Sequence, residues 1–231
     1  MRKVCTLGLL GTGVIGGGWA ARALHSGVDV IAADINPKME GRIRETVELA
    51  MPRLQALTAG MPMPVAGKLS FTADPEEMAA TVDFIQENVP ESLELKLPAL
   101  ELVSKVAGPD VIISSSTSGF MPSELQVGLT HPERLVVGHP FNPVYLCPLV
   151  ELVGNDRTSP ASKEAAAEFY RSIGMHVLIL RREVPGHLTD RLQEALWREI
   201  LHLLNDDIAT TGELDESIVY AAGLRWSIMG L

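Results

Sequence analysis

The chain begins with a glycine-rich segment whose spacing could bind phosphate. Gly11-Thr12-Gly13-Val14-Ile15-Gly16 has the pattern G-x-G-x-x-G, and Asp34 comes 23 residues after Gly11. Such a segment binds a dinucleotide when a strand precedes it and a helix follows it. The apolar run Val4–Leu10 predicts the strand, and Val14–Ser26 predicts the helix. The sequence therefore predicts a dinucleotide site at this turn.

Each position of the glycine motif has a physical reason. The first glycine permits the tight turn, the second lets a pyrophosphate approach the backbone, and the third lets helix and strand pack closely. The N-terminus of the helix then faces the phosphates. We therefore assign Gly11, Gly13, Val14, Ile15 and Gly16 to the cofactor site.

Asp34 decides which dinucleotide is expected. A carboxylate after the second strand accepts hydrogen bonds from the ribose hydroxyls and repels a 2′-phosphate, and no arginine follows it directly. Asp34 therefore belongs to the predicted cofactor site, and it favours NAD over NADP. The alternative is a glycine-rich turn that binds no ligand.

A second group of segments surrounds a histidine. Gly138-His139-Pro140-Phe141-Asn142-Pro143 is preceded by Ser116-Thr117-Ser118 and followed by Pro148-Leu149-Val150-Glu151-Leu152. In their order and spacing these segments resemble the 3-hydroxyacyl-CoA dehydrogenase family, and the resemblance covers essentially the whole chain. It implies the NAD-dependent oxidation of a secondary alcohol.

The resemblance also implies the site residues. The family's catalytic pair corresponds to His139 and Glu151, and its active-site serine corresponds to Ser118. A histidine, with an ordinary pKa of about 6.5, can take the alcohol proton near neutral pH. A carboxylate on its other nitrogen fixes the tautomer, and a serine hydroxyl orients the substrate oxygen. The family's cofactor-contacting residues correspond to Glu91, Lys96, Ser118 and Asn142.

One stretch departs from the family pattern. Family members have Pro-Gly-Phe-x-x-Asn-Arg at the start of the long helix, whereas Pro185–Arg191 has His187 for the phenylalanine and Asp190 for the asparagine. An added negative charge near the substrate is costly unless it is compensated. The segment Met51–Gly67, which is lysine-rich in the acyl-CoA enzymes, holds a single basic residue, Arg53. Both features disfavour a polyanionic CoA substrate.

Further segments, among them Glu194–Glu199 and Gly223–Trp226, resemble members of the family that act on carnitine, a 3-hydroxy acid with a cationic head. This resemblance implies carnitine as the substrate. Aromatic faces and carboxylates hold a trimethylammonium group, which cannot donate an ordinary hydrogen bond. Asp190, Glu194 and Trp197 share one face of the predicted helix at i, i+4 and i+7. Phe141 and Tyr145 lie beside the histidine in sequence. The candidate substrate residues are Asp190, Phe141, Tyr145 and Trp197.

Other interpretations remain open. Glu194 could pair with Arg198 on a solvated surface, and Trp197 could belong to the core. The same chemistry could act on L-gulonate, as in relatives of lambda-crystallin, or on a 3-hydroxyacyl-CoA. A protein of another class, a structural protein that binds NAD without turnover, is disfavoured because His139 and Glu151 are both present.

Strand and helix patterns alternate along the chain, which predicts an α/β fold with a doubly wound Rossmann-type sheet. Strands are predicted over Val4–Leu10, Val28–Ala33, Val82–Gln86, Val111–Ser115, Leu135–Gly138, Leu149–Val153 and His176–Leu180. Helices are predicted over Val14–Ser26, Pro37–Leu57, Leu93–Val106 and Ser162–Ile173, with a short one at Pro122.

The pattern changes near Pro185-Gly186, after which leucine and isoleucine recur at helical spacing. We predict an NAD-binding domain over residues 1–184 and the start of an all-α substrate and dimerisation domain over 185–231. The latter is too short to bury a core of its own, so we expect a fragment or an arm that packs on a partner. The family resemblance implies a homodimer formed through this domain.

Composition narrows the partners. The formal net charge is −10, which disfavours nucleic acid and anionic membranes. The glycines within the N-terminal apolar run Val4–Leu24 argue against a signal peptide. Two cysteines are too few for a disulfide framework and favour a reduced, cytoplasmic protein. The histidines show no metal-ligand spacing, so we expect no metal site.

Overall fold

The structure is a computed structural model that describes residues 4–230, and its first compact unit ends at His187. This unit contains an eight-stranded sheet with the order β3-β2-β1-β4-β5-β6-β7-β8. The strands are β1 (Thr6–Leu10), β2 (Asp29–Ala33), β3 (Leu69–Thr72), β4 (Phe84–Glu87), β5 (Ile112–Ser115), β6 (Leu135–Pro140), β7 (Leu149–Val153) and β8 (His176–Ile179). Every neighbouring pair is parallel except β6 and β7, which are antiparallel.

Helices connect the strands of this unit, except that a loop joins β6 to β7. They are α1 (Val14–His25), α2 (Met39–Leu57), α3 (Pro75–Ala79), α4 (Leu93–Val106), α5 (Pro122–Leu125) and α6 (Pro160–Ser172), with a 3₁₀ turn over Pro132–Arg134. The mostly parallel sheet with flanking helices confirms the predicted doubly wound fold. Each predicted strand and helix of this part is present, with its ends shifted by a few residues.

Two short elements were not predicted. Strand β3 and helix α3 follow a proline-containing stretch that the sequence analysis left without assignment. The helix nevertheless has a clear start: the Asp74 carboxylate accepts hydrogen bonds from the N–H groups of Glu76 and Glu77 at 2.8 and 3.3 Å, and Pro75 occupies the first turn.

The core lies on both faces of the sheet because side chains alternate along each strand. On β1, Leu7 and Leu9 pack in one apolar cluster with Trp19, whereas Leu10 packs in the other. On β6, Val136 belongs to the first cluster and Val137 to the second. Burial on both faces explains why these strands consist of continuous apolar runs.

The sheet brings the predicted site residues to one edge. The first six strands run in the same direction in the sheet, so the segments that follow β1, β4 and β5 lie at a common edge. These segments carry the glycine turn, Glu91 and Ser118. His139 is the penultimate residue of β6, and the register of the antiparallel pair sets Glu151 of β7 directly opposite it.

The second compact unit begins at Leu188. It contains α7 (Thr189–Asn205), α8 (Thr211–Ser217), a π-helical turn over Ile218–Ala222 and α9 (Gly223–Met229). The predicted long helix is therefore confirmed as α7. Within the described chain no residue of α7 is buried. Over residues 4–230, none of the helices combines the length and apolar character that crossing a membrane requires.

Candidate active site

The glycine turn is built by close backbone approach. Gly11 has φ of +91°, which favours glycine, and a Cβ there would come within 2.9 Å of the Asn88 carbonyl group. A Cβ on Gly16 would come within 2.3 Å of the Gly11 carbonyl oxygen. A Cβ on Gly13, in contrast, would meet no described atom within 4 Å. Gly11 and Gly16 thus shape the turn, while Gly13 leaves a surface that a ligand could approach.

Helix α1 starts at this open surface. Gly13 is its N-cap, Val14 is its first residue, and the first turn holds no acidic side chain. Among residues 4–230 no side chain donates or accepts a capping hydrogen bond at this end. The partial positive charge of the helix N-terminus is therefore available to an anion such as a pyrophosphate.

Asp34 is held beside the same turn. Its Oδ2 accepts hydrogen bonds from the Thr12 N–H at 3.1 Å and the Thr12 hydroxyl at 2.9 Å, and its Oδ1 accepts one from the Asn36 N–H at 3.0 Å. These contacts orient the carboxylate before any ligand arrives. The sequence analysis missed Thr12, although a hydroxyl side chain inside the glycine motif was a usable signal.

His139 and Glu151 form a buried pair across β6 and β7. The His139 Nδ1 lies 3.0 Å from the Glu151 Oε2, and the two residues are 3% and 0% exposed. A carboxylate only accepts, so Nδ1 carries the proton, and in the neutral ring the lone pair belongs to Nε2. This is the tautomer that a general base requires.

Two further rings pack against this imidazole. The centroid of the Phe141 ring lies 4.8 Å from that of His139, and the centroid of the His187 ring lies 5.2 Å away. His187 is fully buried, and its Nε2 lies 3.2 Å from the carbonyl oxygen of Thr117. The sequence analysis noted His187 as a departure from the family but gave it no place in the site.

Glu91 holds the turn that carries Ser118. Its Oε1 accepts hydrogen bonds from the Ser118 N–H at 3.2 Å, the Gly119 N–H at 3.0 Å and the Thr117 hydroxyl. Partial burial raises the pKa of Glu91, but the hydrogen bonds from Thr117 and Gly119 and the Lys96 ammonium outweigh it, so the pKa lies below its ordinary value. Glu91 is therefore an anion at neutral pH, and it fixes the Ser118 backbone.

Lys96 lies behind Glu91 and is 1% exposed. Its ammonium donates to the Glu87 Oε1 at 2.8 Å and the Val89 carbonyl oxygen at 2.8 Å, and it lies 3.4 Å from the Glu91 Oε2. Burial raises the pKa of Glu87, and Lys96 together with the Ser115 hydroxyl opposes that effect. These contacts give Lys96 a role in orienting Glu91. Its contact with the cofactor stays a prediction, and Glu87 was missed.

Gln86 is the centre of a buried set of hydrogen bonds that the sequence analysis also missed. The Tyr170 hydroxyl donates to the Gln86 Oε1 at 2.6 Å and lies 2.6 Å from the Ser114 hydroxyl. The Gln86 amide donates to the Gly138 carbonyl oxygen at 3.3 Å. Burial raises the pKa of Tyr170, which therefore stays protonated. Gly138, the residue before His139, is thus hydrogen-bonded to Gln86 on the central strand β4.

The same set extends to the glycine turn through Ser116. Its hydroxyl accepts from the Gln86 amide at 2.8 Å and from the Trp19 indole N–H at 3.1 Å, and it donates to the Asn88 Oδ1 at 2.7 Å. The Asn88 amide in turn donates to the Gly11 carbonyl oxygen at 3.4 Å. The available signal for this arrangement was that the buried strand β4 ends in two polar residues, Gln86 and Glu87.

The remaining predicted residues lie apart from this set or on its border. Asn142 is exposed in the β6–β7 connection, where Phe141 contacts His139. Tyr145 instead packs on the apolar cluster formed by α1 and α2. Asp190 and Trp197 lie on α7 of the second unit, and Trp197 is 52% exposed. Within residues 4–230 there is no cluster of three metal-ligating side chains.

Comparison with known families gives matches over nearly the whole chain. The family model described as the 3-hydroxyacyl-CoA dehydrogenase NAD-binding domain matches residues 6–184. The model of the C-terminal domain of 3-hydroxyacyl-CoA dehydrogenase matches residues 186–231.

Similar proteins include several L-carnitine dehydrogenases. One from Pseudomonas putida is 54% identical over 99% of this chain and 71% of its own length. One from Bacillus cereus is 48% identical over 96% of this chain and 68% of its own length. The resemblance to the 3-hydroxyacyl-CoA dehydrogenase family is confirmed, and these relatives agree with the substrate that it implied.

Solved structures show the same fold. An NAD⁺-dependent dismutase, FHMPC 5-dehydrogenase, is 30% identical with a TM-score of 0.92, covering 99% of this chain and 74% of its own. An (S)-3-hydroxybutyryl-CoA dehydrogenase from Ralstonia eutropha, 24% identical with a TM-score of 0.81 over 94% of this chain and 77% of its own, shares the fold alone.

Proposed function

This chain belongs to the 3-hydroxyacyl-CoA dehydrogenase family, and from that premise we propose that it oxidises the 3-hydroxyl group of L-carnitine to 3-dehydrocarnitine. Family membership makes it an NAD-dependent oxidoreductase that acts on a CH–OH group. The choice of substrate is supported by relatives named L-carnitine dehydrogenase, one of which is 55% identical. It is also supported by the scarcity of basic residues in Met51–Gly67.

The observation that carries the proposed chemistry is the buried contact of 3.0 Å between the His139 Nδ1 and the Glu151 Oε2. With Nδ1 protonated, Nε2 takes the proton of the substrate hydroxyl. The Glu151 carboxylate then stabilises the imidazolium that forms, because both groups are shielded from water. His139 is the general base, and Glu151 fixes its tautomer and orientation.

Ser118 orients the substrate oxygen in this proposal. Its backbone is fixed by Glu91, so its hydroxyl is presented from a rigid turn at the same edge of the sheet as His139. For the cationic head, Phe141 is a candidate because its ring packs on His139. Asp190 and Trp197 on α7 remain candidates, as does Tyr145, although its packing on α1 and α2 is an argument for a structural role.

The residues at the glycine turn fit NAD. The open side of Gly13 and the uncapped start of α1 at Val14 and Ile15 would hold the pyrophosphate, and Asp34 would accept the ribose hydroxyls. Gly11 and Gly16 shape this cradle. Glu91, Lys96, Ser118 and Asn142 complete the proposed cofactor residues. When bound, NAD supplies the hydride acceptor for the oxidation.

The domain and assembly proposals follow the family. Residues 1–184 would bind NAD, and residues 185–231 would belong to a helical substrate and dimerisation domain. We propose a cytoplasmic homodimer without a nucleic-acid or membrane partner.

The dimer is tested by size-exclusion chromatography with light scattering, which gives the mass of the particle in solution. A mass equal to one chain at micromolar concentration contradicts the dimer.

The test of the substrate is NADH formation by the purified protein, measured at 340 nm at mildly alkaline pH because the oxidation releases a proton. L-carnitine, L-gulonate and 3-hydroxybutyryl-CoA are compared under the same conditions. Turnover of L-carnitine with a higher kcat/KM than the other two supports the proposal. Preferred turnover of L-gulonate or the CoA thioester contradicts carnitine as the substrate but is compatible with His139 as the base. If none of the three compounds yields NADH, the proposed activity of this chain is contradicted.

A further inference from the structure

His187 has a conformation that needs an explanation. Its φ is +48°, in the left-handed region that residues other than glycine rarely adopt, and its side chain is fully buried. Its Nε2 lies 3.2 Å from the Thr117 carbonyl oxygen. A carbonyl oxygen only accepts, so Nε2 carries the proton and donates. A strained backbone that persists around a buried polar contact is often part of a site.

The hydrogen bond from His187 acts on the turn that presents Ser118. Thr117 precedes Ser118, and its carbonyl oxygen is held by His187 while its hydroxyl is held by Glu91. Glu91 also accepts from the N–H groups of Ser118 and Gly119. The turn is therefore fixed from two sides: Glu91 accepts hydrogen bonds from its N–H and hydroxyl groups, and His187 donates one to the carbonyl oxygen of Thr117.

The ring of His187 acts at the same time on His139. The two ring centroids lie 5.2 Å apart with the planes tilted by 45°, and Phe141 packs on His139 at 4.8 Å. Glu151 fixes the Nδ1 end of His139. Rotation of the imidazole about its own axis is restricted by these rings, because turning it would bring its edge into one of them.

We propose that His187 is the positioning residue that sets the Ser118 turn and the His139 imidazole relative to each other. It contacts both through one side chain: the donor end binds the turn, and the ring face packs on the imidazole. A phenylalanine could supply only the ring, and an acyclic amide could supply only the donor. This inference rests on the proposed function, in which Ser118 and His139 contact the same substrate oxygen.

Three variants separate the two contributions. His187→Phe keeps a ring and loses the donor, His187→Gln keeps a donor and loses the ring, and His187→Ala loses both. All three variants keep a side chain at the position with positive φ, so each bears the same kind of backbone strain as the original protein. We expect kcat on L-carnitine to fall about 10-fold in the Phe and Gln variants and about 100-fold in the Ala variant, because small displacements of reacting groups are costly. The Kd for NAD should stay within about 2-fold of the original.

His25→Phe is the matched control. His25 is another buried histidine of the same unit, its Nε2 lies 2.9 Å from the Thr58 hydroxyl, and it ends α1 at the opposite end from the glycine turn. Its loss should lower the thermal midpoint and leave kcat unchanged. A purely structural role for His187 would give the same result in its own variants, and that result overturns the proposal.

A second readout needs no substrate. With ¹⁵N-histidine labelling, NMR should find His187 in the Nε2–H tautomer and His139 in the Nδ1–H tautomer. The His139 signals should move on His187→Gln and move less on His187→Phe. Unmoved His139 signals in both variants, or a His187 protonated on Nδ1 alone, overturn the inference. If the protein oxidises none of the tested substrates, the proposed function fails, and these NMR results still decide whether His187 positions His139.

Discussion

Glu151 lies directly opposite His139 across the antiparallel pair of β6 and β7, and the carboxylate reaches the imidazole at 3.0 Å. The contact is thus set by the register of two buried strands. A register fixed by burial on both faces cannot slip without moving every side chain to the wrong face. The fold therefore preorganises the pair for the proton transfer that we propose.

The first prediction concerns this pair. His139→Gln should lower kcat by about 10²–10⁴, the usual contribution of a general base. Glu151→Gln should lower kcat to a similar degree because an amide cannot stabilise the imidazolium. Steady-state kinetics measures kcat, and titration of NAD by calorimetry measures its Kd, which should not change. An unchanged kcat in His139→Gln removes this residue from the role of base.

The second prediction compares two glycines of the turn, one that shapes the backbone and one that faces the proposed ligand. Gly13→Ala should weaken NAD binding with little effect on unfolding, since its Cβ meets only open space. Gly16→Ala should lower the free energy of unfolding by about 1–3 kcal/mol, because its Cβ would overlap the Gly11 carbonyl oxygen. Urea denaturation and NAD titration of both variants check this. If Gly13→Ala and Gly16→Ala lost the same NAD affinity and had the same unfolding free energy, the assignment of Gly13 to binding and Gly16 to shape would be contradicted.

The third prediction concerns cofactor choice. Asp34→Asn should raise the KM for NAD about 10-fold or more, because hydrogen bonds to a charged group are worth about 1.5–3 kcal/mol. The KM for NADP should fall relative to that for NAD once the negative charge is gone. Thr12→Ser is the control, since it keeps the hydroxyl that holds the carboxylate. A constant ratio of the two KM values in Asp34→Asn would show that Asp34 does not select the cofactor.

The fourth prediction is a dependence of stability on pH. The folded pKa of Glu91 lies below its ordinary value, so its charge stabilises the fold above the unfolded pKa of about 4.3, and this contribution is lost as the pH falls through the folded pKa. The difference in unfolding free energy between the original protein and Glu91→Gln should therefore be larger at pH 6 than at pH 3. Urea denaturation at both pH values measures it.

The control for this comparison is Glu40→Gln. Glu40 pairs with Arg44 on the exposed side of α2, where an ion pair contributes little. Its substitution should change the unfolding free energy only slightly at either pH. If Glu91→Gln behaves in the same way, the hydrogen bonds to the Ser118 turn do not depend on a carboxylate.

The central strands could be predicted because they are buried on both faces and consist of continuous apolar runs, as in Leu135–Gly138. Strand β3 was not predicted because Leu69–Thr72 is short, half-exposed and preceded by a proline-rich loop. The reversed direction of β7 could not be predicted from periodicity, since an apolar run has no direction. That reversal is what sets Glu151 against His139.

The site was predicted where a local motif or a family resemblance pointed to it, as at Gly11 and His139. Gln86 and His187 were missed as site residues because key partners are distant in sequence: Gln86 meets Tyr170, and His187 meets Thr117. A local pattern can mark such a residue as unusual, but it cannot identify its distant partner. Glu87 was missed although its partner Lys96 is only nine residues away. Tyr145, chosen because it follows His139 in sequence, packs on α1 and α2 instead.

The buried hydrogen bonds around Gln86 have a consequence for the history of this chain. Ser116, Gln86 and Tyr170 satisfy one another, and a Cβ on Gly138 would come within 2.0 Å of the Tyr170 hydroxyl oxygen. A lineage that altered any one of these side chains alone would leave a polar atom buried without a partner. Divergent descendants are therefore expected to exchange these positions jointly, and their covariation would trace the link between the glycine turn and His139.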